Sequence, residues 1–278
     1  MTKYDLAVAY RIYPKVSKVP PVFGHDKYKL SEFCLESFKQ SLGTLKVKMF
    51  VLLDNCPPEY EKLFEKYFNN DDLEFIKLDG IGNQATFSLQ IKKLIDQNYS
   101  EIIYFAEDDY FYMPEQFIEM VEFLRENDDV DFVSPYDHLD YYTLDIHNHP
   151  NYIKASEKRH WRTGSSTCLT FLTKKKTLEK TRRIFEKYTI GYSDYLIWFC
   201  LTKYAIFNPI KLIRYIIKGE RAFASMIIHI WLKFPNEMLF GKRWKLWVPM
   251  PTISIHMERD FLPPTKSLAN FMINEAKK

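Results

Sequence analysis

Three consecutive carboxylates, Glu107, Asp108 and Asp109, are the residues of this sequence best suited to do chemistry. Neighbouring acids repel one another, and carboxylate oxygens are the ligands that Mg2+ and Mn2+ prefer. The apolar run at residues 102–106 precedes them and predicts a buried strand of a parallel sheet. Because open α/β sheets bind ligands at the carboxyl ends of their strands, we expect a phosphate-carrying cation there. A solvated acidic turn is the alternative.

The elements that must position these acids can be predicted from periodicity. Apolar runs at residues 5–13, 48–53, 73–78, 101–106, 131–134 and 166–173 predict strands, and the amphipathic stretches between most of them predict helices. Ser31 is the expected cap of the first helix, and Pro114 the expected start of the fourth. This alternation predicts a doubly wound parallel sheet with right-handed crossovers. Residues 136–158 are expected to form a loop over the cleft.

Composition fits a globular protein of 278 residues, with either one large α/β domain or a domain with a C-terminal extension. Residues 101–145 hold fourteen acids and one Arg, whereas residues 203–245 hold nine Lys or Arg and two Glu. The first block suits a cation site, and the second suits an anionic surface. Four dispersed cysteines, no apolar leader and no membrane span predict a cytoplasmic protein, soluble or at the inner face of a membrane.

Several segments carry a resemblance to a known family. The order of elements up to FAEDDYFY resembles a GT-A fold glycosyltransferase of the family 2 type, with Glu107 replacing the first Asp of its Asp-x-Asp motif. SPYDHLDYY, HWRTGSSTCLTF and ISIHMERDFLPP also resemble bacterial and viral members. The resemblance implies an α/β GT-A (Rossmann-like) fold, a mostly parallel sheet flanked by helices. The expected core is residues 1–203, followed by a helical or irregular basic aromatic region, 204–278, that packs back on it.

The resemblance implies transfer of a sugar from a UDP, GDP or dTDP sugar to a hydroxyl on a glycan or lipid-linked acceptor, with Mn2+ or Mg2+ as cofactor. Six positions would contact the donor. Tyr10 and Arg11 would flank the nucleobase, Asp54 the base or ribose, Asn83 and Gln84 the diphosphate, and Asp108 the ribose or a metal-bound water. The alternatives are a helix cap for Asp54, surface positions for Tyr10 and Arg11, and a simple turn for the asparagine and glutamine.

The metal itself would be bound by Asp109 and by a late histidine, His256. Neutral imidazole beside a carboxylate-bound Mn2+ is chemically reasonable. The alternative for His256 is a structural role. Arg259 is a weaker candidate for a donor phosphate.

GYSDYLIW resembles the family 2 segment that places an acid at a helix start, and this resemblance implies that Asp194 is the general base. An inverting transfer needs a carboxylate that removes the proton of the acceptor hydroxyl. N-capping of a helix is the alternative for Asp194, and Asp137 is the second candidate base. His138, Trp161 and Arg162 are expected on the acceptor side, where an aromatic face can stack on a sugar; a core position is the alternative for the tryptophan.

Residues 204–247 allow two interpretations. IKLIRYIIKG and SMIIHIWLKF could lie on an anionic membrane, or they could form a packed helical pair with a solvated basic face. Two other functions compete with glycosyl transfer. A sugar nucleotidyltransferase usually carries a glycine-rich phosphate loop, which RIYPKVSKVPP lacks, and a non-catalytic membrane- or polymer-binding module would bind no nucleotide. Nucleic-acid binding is not expected, because charge alone argues weakly for it.

Overall fold

A computed structural model describes residues 3–16, 18–204 and 206–278. Its strands are β1 (Leu6–Ile12), β2 (Val47–Asp54), β3 (Leu73–Leu78), β4 (Ile102–Glu107), β5 (Tyr110–Tyr112), β6 (Phe132–Val133), β7 (Ile153–Ala155), β8 (His160–Gly164), β9 (Phe171–Lys174), β10 (Leu246–Met250) and β11 (Ser254–His256).

The helices are α1 (Lys27–Ser41), α2 (Glu59–Tyr67), α3 (Gly82–Asp96), α4 (Phe117–Glu126), α5 (Asp140–Thr143), α6 (Lys175–Phe185), α7 (Asp194–Thr202), α8 (Pro209–Ile217), α9 (Arg221–Lys233), α10 (Pro235–Phe240) and α11 (Lys266–Glu275).

Nine strands form the central sheet in the order β3-β2-β1-β4-β9-β6-β10-β8-β7. Strands β3, β2, β1, β4, β6, β10 and β7 run in one direction, and β9 and β8 run in the other. The sheet is therefore mostly parallel, as predicted. The order differs from a simple doubly wound sheet, because β9 inserts antiparallel between β4 and β6.

Both faces of β1 are buried, which is typical of a strand covered by helices on two sides. Leu6 and Val8 point into one apolar core, which α1, α2 and α4 cover, and Ala7 and Ala9 point into the other, which includes residues of α3, α6 and α7. These two layers hold the carboxyl ends of β1, β2 and β4 at one edge.

Two predicted helix starts are wrong. Asp26 caps α1 by accepting a hydrogen bond from the Lys29 N–H, and Ser31 lies buried within the helix. Helix α4 begins at Phe117 rather than at Pro114, because Glu115 has a left-handed φ of 57° that interrupts the helical path. The expected loop at 136–158 contains α5 and β7.

The region from residue 204 onward contributes to both sheets. Strand β10 lies within the central sheet between β6 and β8, and β11 pairs antiparallel with β5 in a separate two-stranded sheet. Helices α8, α9 and α10 surround a third apolar core that includes Tyr215, Ile227 and Ile230. The proposed division at residue 203 remains a prediction. Within the described ranges, no helix is long and apolar enough to cross a bilayer.

Candidate active site

A cavity of about 470 Å3 opens at the carboxyl ends of β1, β2 and β4. Its walls include seven of the residues singled out in the acidic, donor and metal sets: Arg11, Asp54, Asn83, Glu107, Asp108, Asp109 and His256. The expected general base, Asp194, also lines it. Residues from distant parts of the chain thus meet at the sheet edge where α/β proteins bind ligands.

Asp54 organises the turn that leads into α3. Its Oδ1 accepts a hydrogen bond from the Ile81 N–H at 2.8 Å, and its Oδ2 accepts one from the Gly82 N–H at 2.9 Å. The side chain is buried, with part of it at the cavity wall. It therefore fixes the backbone that forms this wall.

Glu107, whose role the sequence leaves open, anchors a polar network. The Arg11 guanidinium forms an ion pair with Oε1 of Glu107, and the Thr170 hydroxyl donates to Oε2 at 2.7 Å. Arg11 also donates to Asn83, whose amide nitrogen in turn donates to the Tyr188 hydroxyl at 2.8 Å. Burial alone would lower the pKa of Arg11, but the Glu107 carboxylate outweighs it and raises that pKa.

Asp108 is held by a lysine and by the backbone of the loop after β1. The Lys27 ammonium lies 2.9 Å from Oδ2, and the Tyr13 N–H donates to the same oxygen at 3.1 Å. Burial raises the pKa of Asp108, although Lys27 opposes this shift. Asp108 therefore faces the cavity as a fixed acceptor.

Asp109 and His256 meet because β5 and β11 pair in register. His256 is opposite Tyr110, its ring stacks on the Tyr110 ring, and its Nε2 lies 3.3 Å from Oδ2 of Asp109. The Lys18 ammonium lies 3.0 Å from the same Nε2. Burial would raise the pKa of Asp109, but His256, Lys18 and Lys27 outweigh it and hold that pKa well below its usual range.

These residues fit an open metal site. Oδ1 of Asp109 is buried and has no hydrogen-bond partner among the described residues. Over residues 3–16, 18–204 and 206–278, no cluster of three or more His, Cys, Asp or Glu side chains could enclose an ion. A carboxylate and an imidazole suit a divalent cation whose remaining ligands are phosphate oxygens and water. The Lys18 ammonium lies 3.0 Å from the His256 Nε2, so an ion bound at that nitrogen would displace it.

Asp194 lies in a wall shared by two cavities. It lines the 470 Å3 cavity and also a neighbouring cavity of about 400 Å3. It is the first residue of α7, and its Oδ1 accepts a hydrogen bond from the Tyr195 N–H at 2.8 Å. Burial raises the pKa of its carboxyl group, an effect that the Tyr195 N–H opposes. A half-buried carboxylate between two cavities can accept a proton from a group in either of them.

The second cavity is partly apolar. Tyr141, Phe199, Phe223 and Met226 contribute to its walls, together with His138 and other polar side chains. His138 accepts a hydrogen bond at Nδ1 from the Asp140 N–H at 3.0 Å. Its imidazole has a lowered pKa, because burial disfavours the charged ring. This cavity can take a molecule with both apolar and hydroxyl groups.

Two predicted site residues lie in the core instead. Tyr10 is 1% exposed and packs edge-on against Phe64, so it does not flank a nucleobase. Trp161 is fully buried and stacks on Phe123 with ring centroids 4.3 Å apart, so its face is not available to a sugar. In both cases, a strand buried on two faces directs the aromatic side chain into packing.

Four other expected positions, Gln84, Asp137, Arg162 and Arg259, line neither cavity. Asp137 forms a buried ion pair with Arg162 at 2.8 Å, and the Tyr142 hydroxyl donates to its other oxygen at 2.6 Å. Gln84 is exposed in the first turn of α3. Arg259 is also exposed, and its backbone N–H donates to the Val19 carbonyl.

The lysines that face the acids, Lys18 and Lys27, were not predicted from the sequence. Lys18 and Lys27 both come from the polar segment between β1 and the body of α1. They could have been predicted from the lysine-containing segment that directly follows β1, because the end of β1 lies beside the acidic motif. Thr170 and Tyr188 had no comparable local signal.

Comparison with protein-family models found no match, and comparison with curated proteins found none. Among solved structures, the chain is similar to a mannosyltransferase from Pyrobaculum calidifontis in complex with GDP-Man and Mn2+, at 15% identity and a TM-score of 0.43; the likeness covers 73% of this chain and 52% of that one. It is also similar to the galactosyltransferase LgtC in complex with donor and acceptor sugar analogs, at 10% identity, with a TM-score of 0.40 and 69% of each chain covered. A cytidylyltransferase from Leptospira borgpetersenii has 15% identity and a TM-score of 0.36, over 66% of this chain and 65% of that one.

The chain has an α/β fold with a mostly parallel central sheet flanked by helices. Such a fold hosts more than one reaction, so the assignment of function depends on the site.

Proposed function

We propose that this protein is a metal-dependent glycosyltransferase that moves a sugar from a nucleoside-diphosphate sugar to a hydroxyl acceptor with inversion. The observation that carries the proposal is the position of Asp194 between two adjoining cavities. One cavity has acids and cations suited to a nucleoside diphosphate and its metal. The other is suited to a glycan or lipid-linked acceptor.

On the donor side, Lys18 and Lys27 place positive charge beside the acidic motif and can bind diphosphate oxygens. Asp108 can accept hydrogen bonds from ribose hydroxyls, while Asp54 and the Arg11 network keep the surrounding wall in place. Asp109 and His256 would hold Mn2+ or Mg2+, which when bound neutralises charge on the leaving diphosphate.

On the acceptor side, an acceptor hydroxyl would lie against Asp194. Because burial raises its pKa, this carboxylate is a stronger base than an exposed one and is better matched to proton removal near neutral pH. The hydroxyl proton passes to Asp194, the acceptor oxygen bonds to the anomeric carbon, and the bond from that carbon to the diphosphate oxygen breaks on the opposite face. The product is inverted at that carbon.

Two measurements test this function. Thermal denaturation with UDP, GDP or dTDP, each with and without Mn2+, should show metal-dependent stabilisation by at least one nucleotide, about 2.7 kcal/mol at 100 times its dissociation constant. A screen of nucleotide sugars should then detect release of a free nucleoside diphosphate. Formation of pyrophosphate from a sugar phosphate and a nucleoside triphosphate would instead identify a nucleotidyltransferase. If no nucleotide stabilises the protein against thermal denaturation, the remaining candidate function is a non-catalytic binding module.

A further inference from the structure

Helix α8 presents its apolar side to solvent. Ile210 and Ile217 are 77% and 79% exposed, and Ile213 lies between them on the same helical face. Tyr215, on the opposite side, is fully buried in the third apolar core. A surface helix of a globular protein normally buries its apolar stripe and exposes its polar one. The exposed isoleucines of α8 can therefore contact a partner molecule or surface outside this chain.

Neighbouring segments extend this exposed apolar surface. Helix α9 packs against α8 and α10, and the Phe207 ring contacts Trp231 of α9 edge-on. We call the exposed apolar side chains of residues 207–240 the α8–α10 face. They are Phe207, Ile210, Ile213, Ile216, Ile217, Ile228, Leu232, Leu239 and Phe240. Apolar exposure concentrated in one segment usually marks a protein or membrane contact.

The charge of this region favours a membrane over a second protein copy as the partner of the α8–α10 face. Arg214 and Lys218 are exposed among the isoleucines of α8, and Arg221 and Lys233 are exposed on α9. Two copies of this chain would bring like charges together, which opposes association. Anionic lipid head groups would instead be attracted, and each basic residue near such a surface contributes about 1 kcal/mol. A mixture of basic and apolar side chains on one helix is typical of elements that lie in the membrane interface.

A basic cavity beside the face adds a place for anionic head groups. It measures about 460 Å3, and its walls include Phe207, Asn208 and the cations Lys203, Lys211 and Arg243. Lys211 donates to the Asp145 and Asn148 carbonyls, so its ammonium is held in position.

We propose that the α8–α10 face docks this protein on a membrane surface that contains anionic lipid. The isoleucines would enter the interfacial layer, while the lysines and arginines contact head-group phosphates. Helix α9 also contributes Ala222, Phe223 and Met226 to the wall of the 400 Å3 cavity. If the proposed function holds, docking brings the acceptor cavity next to the membrane, where a lipid-linked acceptor would be presented.

Vesicle sedimentation tests the docking without any nucleotide, so its outcome is independent of the proposed transfer reaction. The full chain should sediment with vesicles of phosphatidylcholine and phosphatidylserine, and much less with phosphatidylcholine alone. Ile213→Ala/Ile217→Ala should weaken this binding, because it removes apolar contact without a change of charge. Arg214→Glu/Lys218→Glu should weaken it about tenfold or more, because two attractive charges become repulsive.

The matched control is Lys176→Glu/Lys180→Glu on α6, which makes the same charge change at the same spacing on another helix whose two lysines are exposed. It should bind vesicles much as the unaltered chain does, and circular dichroism should show all variants folded. Vesicle binding that the α8 variants retain would overturn the proposal. So would a dimer, detected by light scattering, that dissociates in Ile213→Ala/Ile217→Ala while no vesicle binds the unaltered chain.

Discussion

Replacement of Asp194 and of Asp137 by asparagine should separate a catalytic carboxylate from a structural one. Asp194→Asn should lower turnover by about a hundredfold to ten-thousandfold, the usual contribution of a general base. Asp137→Asn should instead lower the free energy of unfolding. Asp137 is 4% exposed and ion-paired, whereas Asp194 is half-buried at a cavity wall, so their substitutions have different expected costs.

The magnitude for Asp137 follows from its ion pair. Its side chain and that of Arg162 are 5% and 9% exposed, and they lie 2.8 Å apart. Burial raises the pKa of Asp137 despite Arg162, so the intact pair adds little net stability. Removing one charge, however, leaves the guanidinium buried without compensation. Such losses cost about 3 to 5 kcal/mol, and we expect the lower end because asparagine still accepts a hydrogen bond.

For Asp194→Asn, the free energy of unfolding at neutral pH is not expected to fall. Its raised pKa means that the stability it contributes is greatest below the pKa of the unfolded chain, about 3.9, and falls as pH rises through the folded value. At pH 7 the ionised group therefore costs stability, and Asp194→Asn should be at least as stable as the unaltered chain. Urea denaturation and release of nucleoside diphosphate measure the two effects. Equal stability losses, or turnover of Asp194→Asn within about tenfold of the unaltered chain, would contradict this assignment.

Three further outcomes are expected. Asp109→Asn should abolish the Mn2+-dependent part of the thermal stabilisation by nucleoside diphosphates; retention of that part would remove Asp109 from the metal site. Burial lowers the pKa of His147 to about 3, so below about pH 6.5 the unfolded chain binds a proton that the folded chain does not, and stability should fall. His147→Gln should reduce that loss by about 2 kcal/mol at pH 5 in urea denaturation, while an unchanged pH dependence would exclude this histidine. Gly164→Ala should lower the free energy of unfolding by about 1 to 3 kcal/mol, because its Cβ would lie 2.7 Å from the Tyr141 hydroxyl oxygen, and an unchanged urea midpoint would contradict this clash.

The first half of the fold could be predicted because its elements are local and strongly periodic. Strand β3 matches its predicted bounds, and β1, β2 and β4 lie within a residue or so of theirs. The insertion of β9 between β4 and β6 could not be predicted, since register between distant strands depends on contacts that no local pattern encodes.

The site was less predictable than the fold, for a similar reason. In a strand such as β1, where both faces are buried, periodicity does not show which side chain reaches a cavity. Tyr10 and Arg11 are neighbours, yet one packs in the core and the other lines the cavity. In β8, likewise, periodicity did not show that the Trp161 side chain packs in the core. The proximity of Asp109 and His256, 147 positions apart, could be expected only by resemblance.

The pairing of β5 with β11 has a consequence for biosynthesis. His256 reaches Asp109 only after the ribosome has made the whole segment that contains α8, α9 and α10. Domains often begin to fold from the N-terminus during translation, and closing a long loop costs entropy before its contacts form. A nascent chain could therefore shape most of the nucleotide cavity early, yet the Asp109–His256 pair would be completed only near the end of synthesis.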